Sequence, residues 1–502
     1  MTWTGALRYA LAAVVLGSLS ACAGSRAGDN VLRVGLASDL VSLDRAKVSD
    51  AISWAVLPNL QENLTEVSPV THEPMPALAE RWSQSADGKE YSFTLRRGVS
   101  FHNSKALRAE DVVYSFRRFL NPKTAAPVRQ WLGSVESIEA AGEWEVRIRI
   151  SHADPGFLRA VSVVPGIVPN NWGANGEEDP MGTGPFKFVR WERGKELTLK
   201  RFDSYWRGAP KLRGVVFQVI PSENARVLAL KSGETDLLLS NSVSLSNAAD
   251  LTQQGYRVDE RPVAGLQYLA GNCSRSPFSS RTFRLAIAHA IDRKSIVEKL
   301  FKGRVVPASG PLPTVFAEHA EVRESGYDPE EAKRLMAASG VRFDPDSPLE
   351  LSYGTEWPWN EQLAQVLEAD LKAVGIPVRA RKYEWATFVA GLFAKQYQFF
   401  TVDLFAGNGA YSLFLGDIFE SESPLNFFGY HNREFDAVWG EIMANSGSHQ
   451  QAALKRAQQM LADDAPSVFL FGAKGGFLTA PRVSNVRLGA LQEIILRDAQ
   501  VR

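Results

Sequence analysis

The sequence has little cysteine and histidine, and no excess of either charge. Its 502 residues include two cysteines, Cys22 and Cys273, and seven scattered histidines. Two cysteines cannot supply the disulfide framework of a small secreted domain, and no histidine pair has the spacing of a metal site. Lys+Arg and Asp+Glu both number 56, so no basic stripe indicates a nucleic-acid partner. We expect no cofactor, no metal and no nucleic acid.

Motifs of the common catalytic and nucleotide-binding classes are also missing. The chain contains no GxxxxGK[ST], no HExxH, no GxSxG and no CxxC,. A hydrolase would need a pair of carboxylates in a cleft that no motif reveals. The residues therefore favour a binding protein over an enzyme.

The sequence has one long apolar run, from Ala10 to Leu19. That run has the length of a signal-peptide core and is short for a bilayer span. It ends in Leu19-Ser20-Ala21-Cys22, which resembles the bacterial lipobox, where the Cys carries lipid after cleavage. We expect Cys22 to be lipidated and residues 23–30 to be a flexible tether; an ordinary signal peptide with an incidental Cys is the alternative.

The most informative stretch runs from Ala77 to Val112. Within it Asp87-Gly88 is a turn signal, and apolar and polar residues alternate from Tyr91 to Leu95 as in a half-buried strand. The stretch contains, in order, the acid Glu80 and Trp82, then Asp-Gly, Tyr-x-Phe-x-Leu-Arg, Gly-Val-x-Phe-His and Ala-Glu-Asp-Val. This order resembles the signature of the family 5 extracellular solute-binding proteins, the oligopeptide- and dipeptide-binding components of ABC importers.

A second match lies in residues 179–207. There Gly182-Thr183-Gly184-Pro185-Phe186 is followed by two expected hairpin strands and by Tyr205-Trp206, an order similar to that of the same family. The resemblance extends from about residue 31 to the end. It implies an α/β, two-lobed, periplasmic-binding-protein-like fold with an extra small domain and a ligand cleft between the lobes.

The resemblance also implies a division of the chain into segments. The signal peptide with its lipobox is 1–22, and the tether is 23–30. Lobe I is discontinuous and comprises 31–71, 181–262 and 476–502. An appended α+β domain spans 72–180, and lobe II spans 263–475.

Several elements follow from the residues themselves. Apolar residues at helical spacing predict a helix from Ala51 to Leu64. Ser222 is a predicted N-cap for a helix that starts at Glu223. Asp328 caps another helix, with Pro329 at its first position.

The ligand-binding residues are expected where the family places its anchor, in residues 398–415. In peptide-binding members an Asp pairs with the α-ammonium of the peptide. An alignment without gaps puts Gly407 at that Asp and Asn408 beside it, so this sequence departs from the pattern; Asp403 lies four residues earlier. We therefore expect weakened recognition of a free peptide N-terminus.

The resemblance also names aromatic candidates. Trp385 matches the Trp of the family's Glu-Trp-x-x-Phe, which lines a side-chain pocket. Phe405, Tyr411 and Tyr268 are further candidate ligand contacts by the same alignment. Packing between the lobes is the alternative for Trp385.

Together these features predict an extracytoplasmic, lipid-anchored substrate-binding protein of an ABC importer. It would capture peptides or peptide-like solutes by closure of the lobes and deliver them to a permease. We expect a monomer that contacts the membrane through its lipid alone. A stand-alone envelope peptide sensor or chaperone, and a receptor for a non-peptide solute, are the alternatives, because this fold serves many ligands.

Overall fold

A large mixed β-sheet runs through both lobes of the molecule. The computed structural model describes residues 29–154, 156–173, 179–344, 346–407, 410–445 and 447–502. The strands are β1 (Val31–Leu36), β2 (Thr65–Val67), β3 (Pro74–Pro76), β4 (Ala79–Gln84), β5 (Glu90–Leu95), β6 (Val135–Gly142), β7 (Glu145–Ile150), β8 (Phe186–Glu192), β9 (Glu196–Arg201), β10 (Gly214–Val219), β11 (Leu237–Leu239), β12 (Arg257–Gly271), β13 (Val306–Pro307), β14 (Leu349–Gly354), β15 (Val378–Tyr383), β16 (Phe399–Phe405), β17 (Ser467–Thr479), β18 (Val483–Ser484), β19 (Arg487–Leu488), β20 (Ile494–Ile495) and β21 (Gln500–Val501).

Helices cover both lobes and one face of the small domain. They are α1 (Ala51–Val56), α2 (Ala109–Leu120), α3 (Phe157–Val163), α4 (Glu223–Ser232), α5 (Leu245–Gln253), α6 (Arg281–Ala290), α7 (Arg293–Ser295), α8 (Pro329–Ala338), α9 (Asn360–Ala373), α10 (Trp385–Phe393), α11 (Gly416–Phe419), α12 (Arg433–Ala444) and α13 (Gly447–Asp464). Within the described ranges, no helix has the length and apolar character needed to cross a bilayer.

Two long strands, β12 and β17, join the lobes. The sheet order is β15-β14-β16-β12-β17-β11-β1-β10-β9-β8. Residues 257–262 of β12 pair with residues 474–479 of β17, whereas residues 265–271 also pair with β16 of lobe II. The register of β12 on β17 shifts between Pro262 and Leu266. The predicted boundaries at 262/263 and 475/476 both fall inside these strands, next to that irregularity.

The small domain has its own antiparallel sheet, in the order β4-β5-β7-β6. The burial of β5 alternates strictly along the strand, which confirms the alternation seen in the sequence. Helix α2 packs on this sheet and buries Val112, Phe116 and Phe119. The predicted strand-turn-helix unit is therefore present.

The predicted helix from Ala51 to Leu64 is wrong in length. The α-helix ends at Val56, and a 3-10 turn covers Leu57–Asn59. Pro58 has no N–H to continue an α-helical ladder, and its ring crowds the preceding turn. The apolar residues beyond it are buried by packing rather than by helical periodicity.

The predicted caps are confirmed. The Ser222 side chain accepts from the backbone N–H of Ala225 at the start of α4. Asp328 accepts from the N–H groups of Glu330 and Glu331 at the start of α8, which has Pro329 in its first turn. Local hydrogen-bond chemistry sets these helix starts.

Candidate functional site

A small cavity lies between the lobes, where the paired strands β12 and β17 pass from one lobe to the other. Its free volume is about 40 Å³, enough for roughly three water molecules and far below the ~300–1,000 Å³ of a small-molecule site. Lobe I contributes Ser240 and Asn241, the joining strands contribute Gln267 and Phe471, and lobe II contributes the loop after β14 and the end of β16. The cleft is therefore nearly closed, and a small molecule does not fit into it in this conformation.

Four polar atoms at this cavity are buried without a hydrogen-bond partner among the described residues. They are Ser240 Oγ, Arg304 Nη1, Trp359 Nε1 and Asp403 Oδ1. Ser240 is 1% exposed, so its hydroxyl has no access to bulk water. Buried polar groups are normally satisfied, and an unmet one costs about 1–3 kcal/mol. Unmet donors and acceptors at one cavity are what a polar ligand would require.

The charged groups at the cavity differ in how they are compensated. Arg304 Nη2 and Nε bind Glu260 at 2.6 and 3.1 Å, and Nη2 also donates to the Ser240 carbonyl. This ion pair is internally neutral and joins lobe II to β12. The Asp403 side chain, in contrast, receives one hydrogen bond from the residues that the structure describes, from Trp357 Nε1 to Oδ2 at 2.7 Å.

A second carboxyl, that of Glu356, interacts directly with Asp403. Burial, and then the negative charge of Asp403, raise the pKa of Glu356 to about 8. Burial also raises the pKa of Asp403, opposed by its hydrogen bonds with Glu356 and Trp357. Glu356 therefore holds a proton at neutral pH, because two adjacent buried carboxylates cannot both ionise cheaply.

The end of β14 is shaped to admit this acid pair. A Cβ at Gly354 would lie 2.4 Å from Glu356 Oε2 and 2.9 Å from Trp385 Cε3. A side chain at that position would displace both groups. Gly265 on β12 plays the same part for Phe405, whose ring would lie 2.4 Å from a Cβ there.

Aromatic side chains wall the acid pair. Trp357 and Trp359 stack with centroids 5.2 Å apart, and the Phe405 ring lies 6.1 Å from Trp357. Both tryptophans come from the loop between β14 and α9, which Pro358 keeps out of either element. This wall could face a cation or an apolar group.

Two of the sequence-predicted residues, Asp403 and Phe405, line the cavity. Trp385 begins α10 beside Glu356 and Gly354 and is 37% exposed. Its position borders the acid pair from outside the cavity. Its role as a ligand contact stays a prediction.

Gly407 and Tyr411 lie elsewhere, against the appended domain. A Cβ at Gly407 would be 3.1 Å from Trp131 Cη2. The Tyr411 ring is buried, with the Arg159 guanidinium 5.8 Å from its centroid. These two residues therefore belong to the contact between lobe II and the appended domain, not to the cavity.

Tyr268 lies in the core of lobe II. It is fully buried, and its ring packs 5.5 Å from Phe428 and 5.9 Å from Phe469. Tyr268 does not line the cavity, because its side chain packs within the core of lobe II. Asn408 and Cys22 lie outside the described residues.

The match to known proteins agrees with this geometry. The model of the family "Bacterial extracellular solute-binding proteins, family 5 Middle" matches residues 73–423 of this chain. This chain belongs to that family. Members are binding proteins of transport systems and not enzymes, so the acid pair in the cleft is read as binding chemistry rather than as the carboxylate pair of a hydrolase.

Individual relatives span nearly the whole chain. Heme-binding protein A of Haemophilus influenzae is 29% identical, over 82% of this chain and 81% of its own length. Di/tripeptide-binding protein 2 of Pseudomonas aeruginosa is 28% identical over 92% of each. The structure of the ABC transporter substrate-binding protein CtaP from Listeria monocytogenes superposes with a TM-score of 0.84 at 23% identity, covering 94% of this chain and 99% of that one, and shows the two-lobed fold.

Sequence reasoning missed Glu356, Ser240 and Arg304. Glu356 precedes Trp357 in a loop whose aromatic residues are conspicuous, but nothing local shows that it meets Asp403, 47 positions later in the chain. Ser240 and Arg304 come from opposite lobes. No periodicity or motif could have joined them.

Proposed function

We propose that this protein is the lipid-anchored, extracytoplasmic receptor of an ABC importer, which captures peptides or peptide-like solutes by closure of its lobes. The family membership supports a transport receptor, and the relatives named for di- and tripeptides support the ligand class. The observation that carries the proposal is the cavity itself, which both lobes line and which contains unmet hydrogen-bonding groups. Closure around a ligand would satisfy them and stabilise the closed form.

Binding can be tested by native mass spectrometry of the purified protein with a library of two- to six-residue peptides. Retained peptides would support the proposal, and their lengths would give the size of the opened site. If none is retained while heme or a metal chelate is, the receptor reading stands with a non-peptide solute. If no solute of any class is retained, the result favours the alternative of a stand-alone sensor or chaperone.

The departure at Gly407 gives a sharper test of how peptides bind. We propose that recognition of the α-ammonium does not use position 407. Similar affinity for a peptide and its N-acetyl form would show that no other carboxylate binds the N-terminus. Isothermal titration of one retained peptide and its acetylated form measures the ratio. A loss above about 2 kcal/mol on acetylation would point to a second acid, with Asp403 the first to test.

Anchoring through Cys22 rests on the lipobox resemblance and is tested separately. Cys22→Ser should move the protein from the membrane fraction to the soluble fraction, because acyl chains hold it by burying methylene groups. Cys273→Ser is the matched control and should leave the distribution unchanged. Equal membrane association of the Cys22→Ser protein would contradict the anchor.

A further inference from the structure

Within the part of the chain that the structure describes, no cationic side chain pairs with the acid pair of Glu356 and Asp403. Besides Asp403, the charged groups that line the cavity are Glu260, Arg304 and Lys474. Arg304 is bound to Glu260, and Lys474 Nζ donates to the Gly303 carbonyl at an exposed position. Three carboxyl oxygens, both of Glu356 and Oδ1 of Asp403, have no hydrogen bond of good geometry among the described residues.

An uncompensated negative charge in such a place is unfavourable. A buried charge is normally paired or hydrogen-bonded, since transfer from water costs several kcal/mol otherwise. The proton that Glu356 holds at neutral pH removes one of the two charges and leaves the other. An external cation would compensate what the chain leaves unpaired.

We propose that Asp403 and Glu356 anchor a cationic group of the solute, an ammonium or a guanidinium, against the walls formed by Trp357 and Phe405. This inference rests on the proposed function as a solute receptor and names the chemistry of its ligand. The anchor uses residues of the loop after β14 and the end of β16, apart from position 407.

The surroundings of the pair fit such a group. An indole face attracts a cation by its ring quadrupole, and Trp357 also holds Asp403 Oδ2 in place. The free volume of about 40 Å³ suits a head group, while the rest of the solute requires the opened cleft. Ser240 Oγ, Arg304 Nη1 and Trp359 Nε1 remain as donors for an adjacent carbonyl or carboxylate of the same solute.

The cation could come from a peptide N-terminus or from a Lys or Arg side chain. The probes are therefore trialanine, N-acetyl-trialanine, N-acetyl-Ala-Lys-Ala amide and N-acetyl-Ala-Arg-Ala amide, with methylammonium chloride against sodium chloride as a minimal pair. Binding is measured by isothermal titration and by the shift in melting temperature. The variants are Asp403→Asn and Glu356→Gln.

Asp370→Asn is the matched control. Asp370 lies on α9 of the same lobe, burial raises its pKa, and it accepts from the backbone N–H of Asp292, away from the cavity. It should bind every probe as the unaltered protein does. If the Asp403→Asn protein melts too early to titrate, Glu356→Gln carries the same test with a smaller expected loss.

We expect the cation-bearing probes to bind more tightly than N-acetyl-trialanine, and Asp403→Asn to lose at least about tenfold for them alone. The preferred probe identifies the source of the cation. If Asp403→Asn keeps the unaltered ratio between cationic and neutral peptides, the anchor is wrong and the peptide receptor stands.

The remaining outcomes separate the two proposals. If no peptide binds but methylammonium raises the melting temperature of the unaltered protein and not that of Asp403→Asn, the anchor stands and the peptide assignment fails. If no probe of any kind discriminates between the unaltered protein and Asp403→Asn, the anchor is overturned.

Discussion

Two acidic sites in this protein use the same side chain in opposite ways. Glu62, in the loop before β2, lies where lobe I meets the appended domain and accepts three hydrogen bonds of 2.8 Å, from Thr183, Tyr205 and Trp206. Glu356 interacts with Asp403, which lines the interlobe cavity, and among the described residues no donor makes a hydrogen bond of good geometry to it. Burial raises the pKa of both.

The two sites differ in which groups donate hydrogen bonds to the carboxyl. Around Glu62 the chain itself supplies the donors, so the acid is part of the fold. Around Glu356 and Asp403 the described residues supply one hydrogen bond of good geometry, from Trp357, and leave acceptors for another group. A buried acid indicates a binding site when its partners are missing, not merely because it is buried.

The largest expected effect is on Glu62. Glu62→Ala would leave the donors of Thr183, Tyr205 and Trp206 unsatisfied, so we expect a loss on the order of 3 kcal/mol in the free energy of unfolding. Urea denaturation measures it. Asp403→Asn, the counterpart at the cavity, should cost under about 1 kcal/mol, and equal losses in the two variants would break the comparison.

The next prediction concerns pH. The folded protein holds a proton on Glu356 up to about pH 8, whereas the unfolded chain releases it near 4.5. The folded state thus binds more protons in this window, and its stability falls as the pH rises, by at most about 1.4 kcal/mol per unit.

Glu356→Gln should remove this slope. We expect the difference in stability between the variant and the unaltered protein to move by roughly 2 kcal/mol in favour of the variant between about pH 6 and pH 8. Melting curves in a pH series provide the measurement. A slope that survives the substitution would mean that another group holds the proton.

A smaller effect is expected at the contact between the appended domain and lobe II. Arg159, 4% exposed, donates to Glu73 of its own domain at 2.7 Å and to Glu318 of lobe II at 3.1 Å. Arg159→Gln should lower the free energy of unfolding by about 2 kcal/mol or less, because both acids lose a charged partner. It should also enlarge the radius of gyration measured by small-angle X-ray scattering.

Arg334→Gln is the control for that experiment. Arg334 pairs with Glu331 on the exposed surface of α8, where an ion pair contributes little. Its stability and radius of gyration should match those of the unaltered protein. An unchanged radius in Arg159→Gln would show that this ion pair does not hold the appended domain against lobe II.

The smallest effect is expected from Trp357→Phe. This change keeps an aromatic wall but removes the hydrogen bond from Trp357 Nε1 to Asp403, worth about 1 kcal/mol. The pKa of Asp403 should rise, because that bond now lowers it. The melting temperature across pH, compared with that of Trp359→Phe, measures the effect; the Nε1 of Trp359 has no partner among the described residues, so its loss should not change the pKa of Asp403.

Much of the fold could be predicted from local sequence. The alternation of β5, the caps at Ser222 and Asp328, and the family signature from Ala77 to Val112 all involve residues close together in the chain. Such features depend on turn chemistry, side-chain periodicity and short hydrogen bonds, which sequence expresses directly. The helix that ends at Val56 instead of Leu64 shows the limit, because apolar spacing continued past a proline.

Some features of the site could likewise be predicted from the sequence, and others depend on tertiary structure. The sequence by itself determined the family, the absence of a recognisable catalytic motif, and the replacement of the usual Asp by Gly407. Tertiary structure decided that Tyr268 belongs to the core, that Asp403 meets Glu356, and that Ser240 faces Arg304 across the cleft. These contacts bring together segments that are distant in the sequence, because the paired strands β12 and β17 pass through both lobes. The lobes must pack before these groups are buried, and that burial shifts their pKa values and leaves polar atoms unpaired.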